Sequence, residues 1–215
     1  MRARAATASA DETPITLDLI LDAAERRFAE AGFAAVSMRA IAAEAGLKNQ
    51  ASLYYYFPNK HALFEQVLRR GLAPVIALFA DSTRGPATPA GVVAVLDRLL
   101  DYLSERPHLP RLVEWAGLGA GRRRSAAVPV PLAILYRTGL QALARASRPW
   151  PAADLPYLAA GIYQLVFGYF ANADLLEIVL ETDPRSAAAV EQQRRFLKRA
   201  IVRLLESPPG SRSAP

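Results

Sequence analysis

The 215-residue sequence contains no cysteine, two histidines, two methionines and two tryptophans. Without cysteine there can be no disulfide, thiolate zinc site or cysteine nucleophile, and nothing ties the chain to an oxidising compartment. Imidazole chemistry is confined to His61 and His108. No nucleophile elbow, phosphate-cradling glycine loop or metal-ligand spacing accompanies them, so neither catalysis nor a cofactor is expected. Period-two alternation of apolar residues is also missing, as is any internal repeat, which removes the main signatures of sheets and solenoids. The opening "MRARAATASADET" lacks the apolar stretch of a signal peptide and reads as a flexible polar arm, so the expected location is cytoplasmic.

What is present is apolar and basic. Hydrophobic residues make up 52% of the chain, enough to bury a substantial core, and the net charge is +6 with a pI near 9.9. That balance permits an anionic partner without proving one. Residues 1–70 hold nine basic and eight acidic groups, residues 71–150 ten and five, and residues 151–215 seven and seven. A nucleic-acid reading therefore has to rest on local placement: within 37–60 the charges are Arg39, Lys48 and Lys60 against Glu44 alone.

Apolar residues recur at helical spacing almost throughout. Pro14 suits a first helical turn, and Leu17, Ile20, Leu21, Ala24, Phe28 and Ala31 follow at three- and four-residue steps until Gly32. Ser37 can cap a second helix with Ile41, Ala42 and Ala45 inward, and Gly46 permits a left-handed turn. A third, about 49–57, keeps Leu53 and Phe57 one turn apart before Pro58. Within it Tyr54, Tyr55 and Tyr56 fan over roughly 200° of helix surface, so at least one must face outward. A longer helix starts at Asn59; "DSTRGPATPAG" is a loop; Leu96, Leu99, Leu100 and Leu103 line one face of the next helix. Further helices follow to a last one, with Val190, Leu197, Ile201, Leu204 and Leu205 on one side, and the expected class is all-α.

Between Asp154 and Asp174 lie 19 residues without a charge, close to the span of a bilayer. Pro156, Gln164 and Asn172 interrupt the run and carboxylates border it, so it is expected to sit inside a bundle or between subunits, not in a membrane.

The segment "SMRAIAAEAGLKNQASLYYYFPNKHALFEQVL" resembles the helix-turn-helix of the TetR family of bacterial transcriptional regulators, through Ile41-Ala42, Ala45-Gly46, Leu53-Tyr54, Phe57, Asn59-Lys60 and Ala62-Leu63. Gly46 and Leu53 stand seven positions apart, one more than the family commonly has, and the extra residue falls within Lys48 to Ser52. The resemblance implies a three-helix DNA-binding domain over 13–60, with a flexible arm at 1–12. It also implies a helical ligand-binding and dimerisation domain over 61–206, with a flexible tail at 207–215. A recognition helix needs short polar side chains at its N-terminal end and donors beside it for phosphates. Asn49, Gln50, Ala51 and Ser52 supply that end, where Gln50 or Asn49 could bond adenine and Ala51 could touch a thymine methyl. By the resemblance Tyr54, Tyr55, Tyr56 and Lys60 meet the DNA backbone, with Tyr55 reaching a phosphate or a base; Ser37, Arg39 and Lys48 complete the expected DNA-contacting set. Without the surrounding motif, three tyrosines at a helix end would mean packing plus solvent. "GRRRS" at Arg122–Arg124 reads as a solvated loop or a second phosphate contact.

The resemblance further implies a homodimer on a palindromic double-stranded operator, with the helices at about 155–181 and 184–206 pairing as a four-helix bundle. A small, apolar effector would release it. Phe79, Leu99, Tyr102, Leu103, Leu112, Trp115, Ile134, Tyr136, Tyr163 and Phe167 are the expected pocket lining, and Gln141, Gln164 or Asn172 the groups that orient a ligand or pair with one another. An architectural DNA binder without an effector is the alternative; a sizeable cavity separates the two.

Overall fold

A computed structural model describes residues 12–85, 88–122, 128–146 and 150–206. Among them ten helices follow in chain order: α1 (Glu12–Ala35), α2 (Met38–Glu44), α3 (Ala51–Tyr56), α4 (Lys60–Ser82), α5 (Pro89–Ser104), α6 (His108–Arg122), α7 (Val130–Ala146), α8 (Leu155–Ala171), α9 (Ala173–Leu180) and α10 (Ala187–Glu206). The all-α expectation holds for the described residues. The chain forms two compact units, Met1–Arg70 and Gly71–Pro215, whose division falls inside α4 and ten residues beyond the boundary expected at 60/61. The first turns of α4 lie in the first unit because Leu63, Phe64, Val67 and Leu68 are buried there.

In the first unit, Ile20, Leu21, Ala24 and Phe28 form the inward stripe of α1, as their spacing requires. The expected stop at Gly32 is real: its φ of 75° and ψ of 164° break the helical path before a last turn to Ala35. Ser37 then caps α2, its Oγ accepting from the Ala40 N–H at 3.1 Å. Gly46, at φ 72°, makes the left-handed turn that ends α2, a conformation that would strain a residue with a Cβ. Leu53 and Phe57 point inward from α3 and its end, and Asn59 Oδ1 accepts from the Ala62 N–H at 2.9 Å to start α4. Phe28, Phe33 and Phe64 close the core, with Phe64 meeting each of the others at 5.1 Å between ring centres.

In the second unit α8 packs against α5, α6, α7 and α10. That central position explains why it is so uniformly apolar: Leu158, Val166, Phe167, Tyr169 and Phe170 are all buried. The apolar stretch expected to run unbroken to Leu180 is two helices. Asn172 leaves the helical path at φ −101° and ψ 25°, and its Nδ2 donates to the Gly168 carbonyl at 3.0 Å and to Glu114 Oε1 on α6 at 3.3 Å. Among the described residues no helix is long and apolar enough to cross a membrane. On α10, Val190, Leu197, Ile201 and Leu205 face inward as expected, whereas Leu204 turns outward and offers its carbonyl to Trp150 Nε1 at 2.7 Å. Arg194 binds Asp97 and Asp101 and Lys198 binds Asp97, so the α5 and α10 pairing is ionic along one edge.

Candidate nucleic-acid interface and ligand cavity

With Leu53 and Phe57 inward, the geometry of α3 turns the positions between them out. Tyr54 is 47% and Tyr55 84% exposed, while Tyr56 is half-buried and lies edge-on to Tyr55 at 5.3 Å. An exposed ring of that size contributes nothing to the core, so its hydroxyl is available to an outside partner. Ala51 and Ser52 are exposed on the first turn; Asn49 Oδ1 accepts from the Ala51 N–H at 2.9 Å, and Gln50 Nε2 reaches the Tyr54 hydroxyl at 3.4 Å. Arg39 and Lys48 are exposed cations nearby in sequence.

Two features were not legible from the sequence. The lone acid of 37–60, Glu44, is held by Arg26 and Arg27 of α1, Arg26 Nε at 2.9 Å. Burial pushes its carboxyl up, but the two guanidiniums outweigh that and hold it below the usual carboxylate range. The edge is thus more positive than the local count suggested. The second is a correction. Lys60 does not reach outward: its Nζ donates to the carbonyls of Phe33 at 2.7 Å, Ala34 at 3.3 Å and Val36 at 2.8 Å, and sits 4.5 Å above the centre of the Phe33 ring. An ammonium has three N–H donors, and all three are engaged. Carbonyls left over where α1 breaks at Gly32 attract it, and burial lowers its pKa. His61, beside it, packs edge-on against Phe33. Arg123 and Arg124 of "GRRRS" lie outside the described residues.

The second unit contains an open cavity of about 340 Å³. Of the expected lining, Phe79, Leu99, Tyr136, Tyr163 and Phe167 take part. Tyr102, Leu103, Leu112, Trp115 and Ile134 do not. Leu103 and Leu112 are buried in the solid core, Tyr102 donates from its hydroxyl to the Gly71 carbonyl at 2.7 Å, and Trp115 and Ile134 face outward. The walls that sequence reasoning missed come from Val92, Val95, Leu140, Ile162 and Ile201. Apolar spacing marks such residues as inward but does not say whether they meet a neighbour or a void. Gly139 keeps a wall thin, since a Cβ there would come within 3.3 Å of the Phe79 ring. Gln141, Gln164 and Asn172 are not in the lining; the polar groups there are Tyr136 and Tyr163, with Asp81, Ser82, Thr88 and Arg145 at one end.

A small helical unit that pins a six-residue helix from behind and presents its polar, tyrosine-rich face is a helix-turn-helix DNA-binding unit. Residues 20–67 match the family described as bacterial regulatory proteins, tetR family. The chain is 35% identical over 102 residues, 47% of its length, to the HTH-type transcriptional repressor SCO4008 of Streptomyces coelicolor; it spans about half (50%) of that relative. A TetR family transcription regulator from Marinobacter aquaeolei superposes with a TM-score of 0.61 at 20% identity, over 89% of this chain and 98% of that one. SmeT, the repressor of a Stenotrophomonas maltophilia multidrug efflux pump, does so at 0.56 and 22%, over 84% and 89%, and has been solved in complex with triclosan. Residues 20–67 thus carry the tetR-family pattern, and the described helices share the fold of solved TetR-family regulators.

Proposed function

We propose that this protein is a homodimeric transcriptional repressor that reads a palindromic operator through α3 and leaves it when a small, apolar molecule fills the cavity. The observation that carries this is the outward face of α3, where Asn49, Gln50, Ala51, Ser52, Tyr54 and Tyr55 stand clear of a core that Leu53 and Phe57 anchor. Gln50 and Asn49 address base edges, the tyrosine hydroxyls and the cations Arg39 and Lys48 address phosphates, and Ser37 fixes the start of α2. Lys60 holds the corner between α1 and α2 and leaves the phosphates to those neighbours.

Two copies set half-sites about 34–36 Å or a multiple apart. Tyr157, Leu175, Ile178, Val179 and Phe196 of α8, α9 and α10 are exposed, and such a concentration of bare apolar side chains supports pairing through these helices. The effector acts by favouring a dimer whose α3 helices are misplaced for DNA, which requires that it bind that state more tightly. α4 carries Phe79 of the cavity and the Lys60 corner of the first unit, so it is the covalent route between the two events. The triclosan complex of SmeT is consistent with a fold able to take an apolar guest.

Selection of bound fragments from the source genome, with light scattering of the same protein, tests the proposal. A dimer that enriches an inverted repeat is expected. A monomer, or enrichment without any shared sequence, would leave an architectural DNA binder as the better reading.

A further inference from the structure

The cavity also constrains what can enter it. Its walls are aliphatic along α5, α7, α8 and α10, for example Val95, Leu140, Ile162 and Ile201. The charged side chains in its lining, Asp81 and Arg145, belong to the exposed ends of α4 and α7. Both keep to those ends: Asp81 pairs with Arg84 at 3.0 Å, and Arg145 donates to the Gly85 carbonyl at 3.3 Å, away from the aliphatic stretch. A charged guest lying along the aliphatic walls would lose its hydration there, and the carboxylate that acts on Tyr163, Glu114, lies outside the lining and accepts from Asn172 Nδ2 at 3.3 Å.

One polar feature lies among these walls. Tyr163 stacks on Phe167 with ring centres 5.0 Å apart and meets Tyr136 at 5.3 Å, and both phenols belong to the cavity lining. Two neighbouring phenols carry two O–H donors with their acceptor lone pairs, so even if one hydroxyl donates to the other the pair keeps a donor and an acceptor for a guest. Burial raises the pKa of both phenols, most strongly Tyr163, so the pair stays protonated and presents a neutral dipole.

We infer that the ligand is an uncharged amphiphile: an apolar body lying along the aliphatic walls, with a single neutral hydroxyl or carbonyl received by the Tyr136–Tyr163 pair. This rests on the reading of the cavity as an effector site but concerns only the chemistry of what binds. A probe set with one body and varied heads tests it: 4-hexylphenol, hexylbenzene, 4-hexylbenzoate and 4-hexylbenzylamine, titrated by calorimetry into the full-length protein.

The phenol is expected to bind about tenfold or more tightly than the benzoate and the protonated amine. In Tyr163→Phe the ratio of phenol to hexylbenzene affinity is expected to fall about fivefold. Tyr136→Phe provides the same reading should Tyr163→Phe fail to fold. A charged probe binding as tightly as the phenol, an unchanged ratio in the folded variants, or no binding by any probe would overturn the inference. Operator release is measured in parallel: phenol binding without release supports the ligand class and counts against the effector mechanism, so the two fail separately.

Discussion

In Met1–Arg70 Phe64 meets Phe28 and Phe33 inside a closed core, while in Gly71–Pro215 Tyr163 meets Tyr136 and Phe167 just as closely but, with Phe79, beside an opening. The first unit has to hold a six-residue helix in one orientation, and a helix that short has no stability of its own, so its inward contacts must be specific. The second has to surround a space, which many combinations of apolar residues can do. The contrast explains why a family pattern is legible over 20–67, while over most of the chain the solved relatives share a fold at 20–22% identity.

The largest expected effect tests whether the two cores differ in kind. Phe28→Ala should cost about 3–5 kcal/mol in urea denaturation and abolish operator binding, because the ring is fully buried against two others. Leu99→Ala, which enlarges a void already present, should cost about 2 kcal/mol, the low end for such a truncation. Equal costs would show that the cavity wall is packed as tightly as the first core.

Next in size is the division of labour on α3. Gln50→Ala should change base preference at a cost of about 1–3 kcal/mol, whereas Tyr54→Phe should weaken all sequences alike. A flat preference profile in the Gln50 variant would make it a positioning residue.

Smaller, and more diagnostic, is the salt dependence. Lys48→Ala should reduce the logarithmic salt slope of DNA binding by about one, while Lys60→Met should weaken binding with the slope unchanged. A slope lowered by about one in the Lys60 variant would return that residue to the phosphates.

The smallest effect concerns pH. Asp97 is pushed up by burial but held lower, on balance, by Lys198 and Arg194, so its folded pKa lies below the unfolded value. Its contribution is therefore present above about pH 4, the unfolded value, and is lost as the pH falls through the folded pKa. Thermal melts of Asp97→Asn should show less acid sensitivity than the parent protein; identical profiles would assign acid loss to other carboxylates.

The sequence was a good guide wherever the physics is local. Ser37 as a cap, the break at Gly32, the turn at Gly46 and the inward pair Leu53 and Phe57 all follow from short-range chemistry and hold in the structure. It was a poor guide where partners are distant. Lys60 finds carbonyls more than twenty residues away, and Glu44 finds Arg26 and Arg27; neither pairing leaves a trace in spacing. The pocket was half legible for the same reason: Leu103 and Leu99 sit one turn apart on α5, yet the first fills the core and the second faces the space.

The turn between α2 and α3 has a consequence for engineering. Because α2 ends at Glu44 and α3 begins at Ala51, the additional residue between Gly46 and Leu53 is slack taken up before the helix starts, with Ser52 and Leu53 bonding back to Asn49 and Gln50 at 3.0 Å each. The angular position of every side chain on α3 is thus counted from Leu53, not from the glycine. A recognition helix transplanted from a relative and spliced by counting from Gly46 would arrive rotated by about 100°. Spliced at Leu53, it would keep its phase.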